Sequence, residues 1–233
     1  EPDVRQLAST LLEESDLRVI ECESAEAALA VLQRQGETVA LIFEHGRFTA
    51  ADTAGFQGYF LGNADAPVVI TEYADYQCPA CQTFDMVQFP DIVRQLVETG
   101  KVRWRYRDFP LNSHAFSRLA AHSAACADDQ GRYWEQHASI YQGQSNWARE
   151  TEPSGTFRGY AERIGLDLKA YDECMMSAKY AGRIQASYDE GVRLGVNGTP
   201  TFLIGDRLYG GLSNSDALKA LVDSLTPATP ATP

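Results

Sequence analysis

No apolar run in this 233-residue sequence approaches the roughly 18–20 residues that cross a bilayer, so no membrane-spanning helix is expected in it. Basic residues are scarce: 20 Lys and Arg stand against 32 Asp and Glu, a net charge of −12 with a pI near 4.7. That balance lacks the positive face that nucleic-acid binders carry, and it argues against nucleic acid as a partner. The first residues are charged and polar, so no secretory leader is visible; in a trimmed product this would decide nothing about export. A second C-x-x-C is also missing. A zinc site would need two ligands beyond one such pair, and His122 and Cys126, four apart, do not complete a set. No metal, no cofactor and no internal repeat are expected.

What the sequence does have is alternating strand and helix signals and five cysteines: Cys22, Cys78, Cys81, Cys126 and Cys174. An odd count leaves at least one of them unpaired or paired between molecules. Residues 1–48 alternate helix and strand patterns, with short strands at Leu17–Ile20 and Val39–Phe43 and a helix capped by Ser24 between them. Residues 49–60, small and glycine-rich, read as a linker. The second domain runs over 61–226. It opens on the β-branched strand Val68–Tyr73, then a helix from about Cys81 to Glu98 kinked near Pro90, then the alternating strand Val102–Tyr106. Residues 113–190 are mostly helical in pattern, broken near Gly143–Ser145 and Pro153–Gly155. Two short strands around Gly205-Asp206 and an apolar-striped helix through Leu218, Leu221, Val222 and Leu225 follow. The Pro/Thr/Ala tail, 227–233, is expected to be disordered.

The chemistry concentrates at Cys78-Pro79-Ala80-Cys81, directly after a strand and opening a helix. A cysteine at a helix start faces free N–H groups and the positive end of the dipole, which favour its thiolate. Such a thiolate attacks a disulfide, and a second thiol one turn on resolves the mixed disulfide. Pro79 costs nothing at an early helical position, because its missing N–H had no partner there. Cys22 reads as buried and inert. His114, His122 and His137 read as capping, surface or core residues rather than catalysts.

The segment Glu72-Tyr73-Ala74-Asp75-Tyr76-Gln77-Cys78-Pro79-Ala80-Cys81 resembles the active-site segment of DsbA-like proteins of the thioredoxin superfamily, and Gly198-Thr199-Pro200-Thr201-Phe202 resembles their cis-proline loop. Asp129–Trp134 and Gly191–Val196 are similar to segments of the family's helical insertion and its exit. The resemblance covers about residues 59–225. It implies an α/β protein: a thioredoxin fold with a helical domain inserted between its βαβ and ββα halves. It implies a catalytic set of Cys78 as nucleophile, Cys81 as resolving thiol, a cis Pro200, and Glu72 as a buried acid that moves protons. Thr199, Pro79 and Ala80 would bind substrate. The residue-level alternative for Glu72 is a surface strand position.

One departure stands out. The strongest oxidants of the family carry histidine where Ala80 stands, so the potential is expected between the roughly −270 mV of thioredoxin and −120 mV of DsbA. Family members often place cysteines near positions 126 and 174, which implies a possible structural disulfide; two buried free thiols are the alternative. The partners implied are cysteine-containing protein substrates and a membrane or soluble protein that recycles the pair, in the periplasm or another extracytoplasmic space. A reductase or isomerase is the alternative within the same chemistry.

Residues 1–48 resemble part of a response-regulator receiver, preceding the thioredoxin fold as a partial α/β segment. The strand bearing the metal-binding acids is missing, and His45 stands where the phospho-accepting aspartate would be. Aspartyl phosphorylation is therefore not expected. An unrelated α/β extension is the alternative, and a signalling or interaction protein using this segment is the rival function from another class.

Overall fold

In the computed structural model, residues 55–211 and 215–225 are described. The receiver-like reading of 1–48, Cys22, His45 and the tail after 226 lie outside the described residues. Five strands form one sheet in the order β1-β3-β2-β4-β5: β1 (Tyr59–Leu61), β2 (Val68–Ala74), β3 (Val102–Asp108), β4 (Thr201–Ile204) and β5 (Arg207–Gly210). β2 and β3 pair in parallel, and the other pairings are antiparallel. β2 lies at the centre and is buried on both faces apart from Val69, which is why it reads as a nearly continuous β-branched run.

The crossover from β2 to β3 is one helical stretch of alternating pitch: α1 (Pro79–Thr83), a π turn (Phe84–Gln88), α2 (Phe89–Ile92) and a second π turn (Val93–Val97). Pro90 sits in the first turn of α2, where the wider turn before it accommodates a residue without an N–H. Five helices then separate β3 from β4: α3 (Ser117–Asp128), α4 (Tyr133–Trp147), α5 (Ser154–Arg163), α6 (Leu168–Ser177) and α7 (Ala181–Leu194). α8 (Ser215–Leu225) closes the fold. This is the mixed α/β architecture of a thioredoxin fold with a helical insertion.

Two expectations need correction. The stretch read as linker up to residue 60 contains the start of β1, which pairs Tyr59 with Tyr106. The signal was hidden by Gly58, which adopts φ +113° and lies so close to β3 that a Cβ would meet the Arg107 side chain at 2.9 Å. The expected break at Gly143 does not occur either, because α4 runs unbroken through it. There glycine serves packing: a Cβ would fall 1.8 Å from the Tyr160 hydroxyl oxygen.

The core has two main parts. On one face of the sheet, Ile70, Trp104, Phe202, Phe84, Phe89, Leu218 and Val222 pack between strands and helices. The insertion has its own core, which continues to Tyr76, Cys78 and Cys81. A disulfide joins Cys126 on α3 to Cys174 on α6, 48 residues apart in sequence. Closing a loop of that length restricts the unfolded chain and stabilises by about 4 kcal/mol in the chain-entropy picture. Cys126→Ser is therefore expected to lower stability by about 2–4 kcal/mol in denaturant titration. It should leave thiol exchange at Cys78 within about twofold, because the bridge joins two helices that do not carry Cys78 or Cys81.

Asp108, at the end of β3, is buried with both carboxyl oxygens lacking a hydrogen-bond partner. Burial pushes its carboxyl up from 3.8 to about 7, with the Asp75 charge adding and the Arg107 charge opposing. The folded state thus holds a proton that the unfolded chain releases near pH 4. The penalty is absent below that, grows between about pH 4 and pH 7, and is constant above. Asp108→Asn is expected to raise the melting temperature clearly at pH 8, where the gain is at most about 4 kcal/mol, and much less at pH 5. Equal shifts at the two pH values would contradict an ionising buried carboxyl.

Candidate active site at Cys78 and Cys81

Cys78 caps the N-terminus of α1 with extended backbone, φ −74° and ψ 121°, and Pro79 follows in the first turn. Three tethers fix this corner. The Cys78 N–H donates to the Asp75 carbonyl at 3.0 Å, and the Gln144 side-chain amide donates to the carbonyls of Tyr76 and Cys78 at 2.6 and 3.0 Å. The buried Asp75 carboxylate accepts from the backbone N–H groups of Gln77 and Leu111, both at 2.7 Å, and from the Ser117 hydroxyl, and it meets His114 Nδ1 at 2.8 Å. The loop carrying Cys78 is thereby clamped to the entry of the helical insertion.

Pro79 and Ala80 are exposed, Cys78 keeps a sliver of exposure at 7%, and Cys81 has none. The loop before β4 reaches the same place from the other half of the fold. Its Thr199–Pro200 peptide is cis, and the Cys78 thiol donates to the Thr199 carbonyl at 3.5 Å. The structure therefore brings Cys78, Cys81, Thr199 and Pro200 together from opposite ends of a 122-residue separation in sequence, with Pro79 and Ala80 at the rim.

The two sulfurs, unbridged here, are driven in opposite directions. Cys78 is pushed down to about 5, chiefly because the Cys81 thiol donates to its sulfur, with help from Thr199 and the backbone N–H groups of Cys81 and Ala80 against the cost of burial. Cys81 is pushed well up, first by burial, then by its bond to Cys78 and the charge there, with the Glu72 charge adding. Glu72 lies in β2, buried, and accepts from the Trp104 indole N–H at 3.1 Å. Burial and the nearby Asp85 charge push its carboxyl up to about 8, against the Trp104 bond. Glu72 is therefore largely a neutral acid at pH 7, and the surface-strand alternative does not hold.

A family model described as thioredoxin matches residues 56–224. The chain belongs to the thioredoxin family. Among curated relatives, the Na(+)/H(+) antiporter NhaA 3 of Salinispora tropica is 37% identical over 164 residues, which is 70% of this chain but only 24% of that protein. The chain thus spans about a quarter of that relative's length. Disulfide bond formation protein D of Bacillus subtilis is 24% identical over 166 residues, 70% of this chain and 74% of the relative. The crystal structure of oxidised BdbD from Bacillus subtilis superposes with a TM-score of 0.65 at 24% identity, covering 71% of this chain and 91% of that one, and so shares the fold.

Among the described residues, one cluster has the spacing of a metal site: His122, Cys126 and Cys174, all buried. Its two sulfurs are bonded to each other, so neither offers the thiolate a soft metal requires. His122 reads as a core residue, meeting the Cys174 carbonyl through Nε2 at 3.1 Å. Sequence reasoning did not single out Asp75 and Gln144, which hold the loop, or Asp85 beneath it; His137, read as a capping, surface or core residue, is buried at 2% exposure against Asp85. Apart from the Asp75–Gln77 bond, their partners lie between 36 and 68 residues away, so no local pattern shows what they hold.

The separation of the two thiols has a direct readout. Alkylation of the reduced protein by iodoacetamide is expected to occur at Cys78 alone, with a rate that rises through a midpoint near pH 5. Cys81 should stay unmodified up to pH 9. A midpoint near pH 9, or equal labelling of both, would contradict the electrostatics described here.

Proposed function

We propose that this chain is a thiol–disulfide oxidoreductase that oxidises dithiols in protein substrates. The observation that carries the reading is the pair of sulfurs three residues apart with acidities pushed in opposite directions, the more acidic one beside the carbonyl that precedes a cis-proline. The name of the Bacillus subtilis relative, disulfide bond formation protein D, agrees with it.

In the oxidised form, a substrate thiolate attacks Cys78 Sγ. A substrate–Cys78 bond forms, the Cys78–Cys81 bond breaks, and its electron pair goes to Cys81. Cys81 holds a proton more tightly than a free thiol, and Glu72, neutral up to about pH 8, donates one to it. A second substrate thiolate then attacks the substrate sulfur of the mixed disulfide and expels Cys78. With its acidity near 5, Cys78 is a good leaving thiolate at neutral pH. The substrate leaves with a disulfide, and the pair has taken two electrons. In the reverse half, Cys78 attacks a disulfide and Cys81 resolves.

The backbone next to Pro200 gives an extended substrate chain a place to pair, with Thr199, Pro79 and Ala80 around it. A thiolate stabilised in the reduced form favours oxidation of substrates. Ala80 supplies no side-chain donor to that thiolate, so the potential should lie between about −270 and −120 mV. A value at the low end would turn the reading to reductase or isomerase. We assign the domain to an extracytoplasmic compartment, where a disulfide such as Cys126–Cys174 persists and a membrane or soluble oxidant recycles the active pair. No helix among the described residues is long and apolar enough to cross a membrane. Sodium–proton antiport stands in the name of a relative of which the match covers 24%.

The roles are tested by trapping. Cys81→Ser mixed with a scrambled disulfide protein should accumulate a mixed disulfide on a non-reducing gel, because nothing remains to resolve it. Cys78→Ser should trap nothing and lose at least 100-fold in exchange rate. The opposite pattern would reverse the roles, and full activity in both variants would falsify the proposed function.

A further inference from the structure

One face of α4 runs along the active-site segment. His137, Tyr141 and Gln144, spaced four and three residues apart, fall on the same side of that helix. His137 meets the Tyr76 hydroxyl at 2.8 Å and Asp85 at 3.0 Å, and the Tyr141 carbonyl accepts from the Gln82 side-chain amide at 2.9 Å. Gln144 reaches the backbone of Cys78 itself. Its side chain is buried, and its Nε2 donates to the carbonyls of Tyr76 and Cys78 at 2.6 and 3.0 Å. Both partners are carbonyl oxygens, which only accept, so the amide nitrogen is the end that faces them.

The backbone polar groups of Cys78 are thereby all engaged. Its N–H donates to the Asp75 carbonyl at 3.0 Å, and its carbonyl accepts from the Gln82 N–H at 3.1 Å as well as from Gln144. The first two bonds are local and form with the helix start. The bond from Gln144 spans 66 residues, so it is a contact through which the helical insertion fixes the torsions of this corner. Those torsions decide what meets the sulfur. Ala80 has no side-chain donor. The groups that favour the Cys78 thiolate are the Cys81 thiol first and then, against the cost of burial, Thr199 and the backbone N–H groups of Cys81 and Ala80. None of these is a long side chain able to follow a sulfur that moves, so the sulfur must be brought to them.

We propose that Gln144 is a positioning residue for the exchange reaction: by holding the carbonyls of Tyr76 and Cys78, it keeps Cys78 Sγ against Cys81, Thr199 and the first N–H groups of α1. The part played in exchange rests on the proposed function; the placement of the sulfur does not. Without the amide, two buried carbonyls lose a donor and the Cys78 corner is free to turn. The sulfur then meets its stabilising groups for less of the time, and the geometry for attack and resolution loosens with it.

The same helix carries a matched control. Gln136 is also buried, and its Nε2 also donates twice, to the Ser123 hydroxyl at 2.9 Å and to the Phe157 carbonyl at 3.0 Å. Both of those partners lie inside the insertion, away from the reactive segment. Replacing either glutamine by methionine keeps length and burial and removes the donor. A loss of stability is therefore common to the two variants, whereas a change at Cys78 belongs to Gln144.

Gln144→Met and Gln136→Met are both expected to lower the melting temperature. Gln144→Met alone should raise the midpoint of iodoacetamide alkylation at Cys78, by about one pH unit from near 5. That tenfold loss of thiolate stability makes the equilibrium potential against glutathione about 30 mV more negative at pH 7. For oxidation of a reduced, unfolded protein, kcat should fall about tenfold with KM within about twofold, because no group that touches substrate is removed. If Gln144→Met does not fold, Gln144→Asn, whose amide falls one methylene short of the two carbonyls, should move the midpoint the same way. A midpoint unmoved in the folded variant, or moved equally by Gln136→Met, overturns the proposal. If the unsubstituted protein fails to oxidise the reduced protein at all, the proposed function fails instead, and the alkylation midpoints still decide what Gln144 does for Cys78.

Discussion

The hydrogen bond from the Cys81 thiol to the Cys78 sulfur is the interaction on which this protein's chemistry depends. It is the largest influence lowering the pKa of Cys78, and the same bond helps raise that of Cys81. One proton shared unequally between two sulfurs thus creates both an attacking thiolate and a thiol that resists ionisation. Burial enlarges the difference, because Cys81 has no exposure and Cys78 retains a little. The bond requires the two residues one helical turn apart at the very start of a helix. The rest of the fold keeps that turn in place.

The insertion serves this end. Asp75 is fixed by groups at 111, 114 and 117, and Gln144 reaches back from α4 to the carbonyls of Tyr76 and Cys78. These bonds join separate segments around the loop that carries Cys78. The Cys78–Thr199 contact adds the other half of the thioredoxin fold, so the site is assembled where three separate stretches of chain converge. Meanwhile the Cys126–Cys174 bridge stiffens the insertion from within, on helices that do not carry the reactive sulfurs.

How much of this could be read from the sequence depended on how local each signal was. The β2 and β3 strands announce themselves by β-branched and alternating residues, and Cys78-Pro79-Ala80-Cys81 announces a redox pair by its spacing. Thr199 and Pro200 came through resemblance alone, since nothing in their own neighbourhood fixes what they face. Glycine misled twice. Gly58 looked like linker and Gly143 like a helix break, but each marks a place where another part of the chain comes too close for a side chain. A one-dimensional pattern cannot separate a glycine chosen for flexibility from one chosen for proximity. His137 could be read only as a capping, surface or core residue for a related reason: its two partners, Tyr76 and Asp85, lie 61 and 52 residues away.

Two buried carboxyl groups show how the fold treats charge. Glu72 and Asp108 are each pushed up to about 8 and about 7, mainly by burial, and each costs stability that grows as the pH rises from about 4 toward those values. Their surroundings differ. Glu72 has an indole donor and a neighbour, Cys81, whose ionisation it influences, so in the proposed exchange its cost is matched by a chemical use. Asp108 has no donor on either oxygen and no sulfur among the groups that shift it. Burial alone therefore does not mark a functional acid. What distinguishes Glu72 is burial combined with a group whose charge must change in the proposed exchange. In a site whose cycle alternates between a disulfide and two thiols, the acid that matters is the one whose proton the leaving sulfur can take.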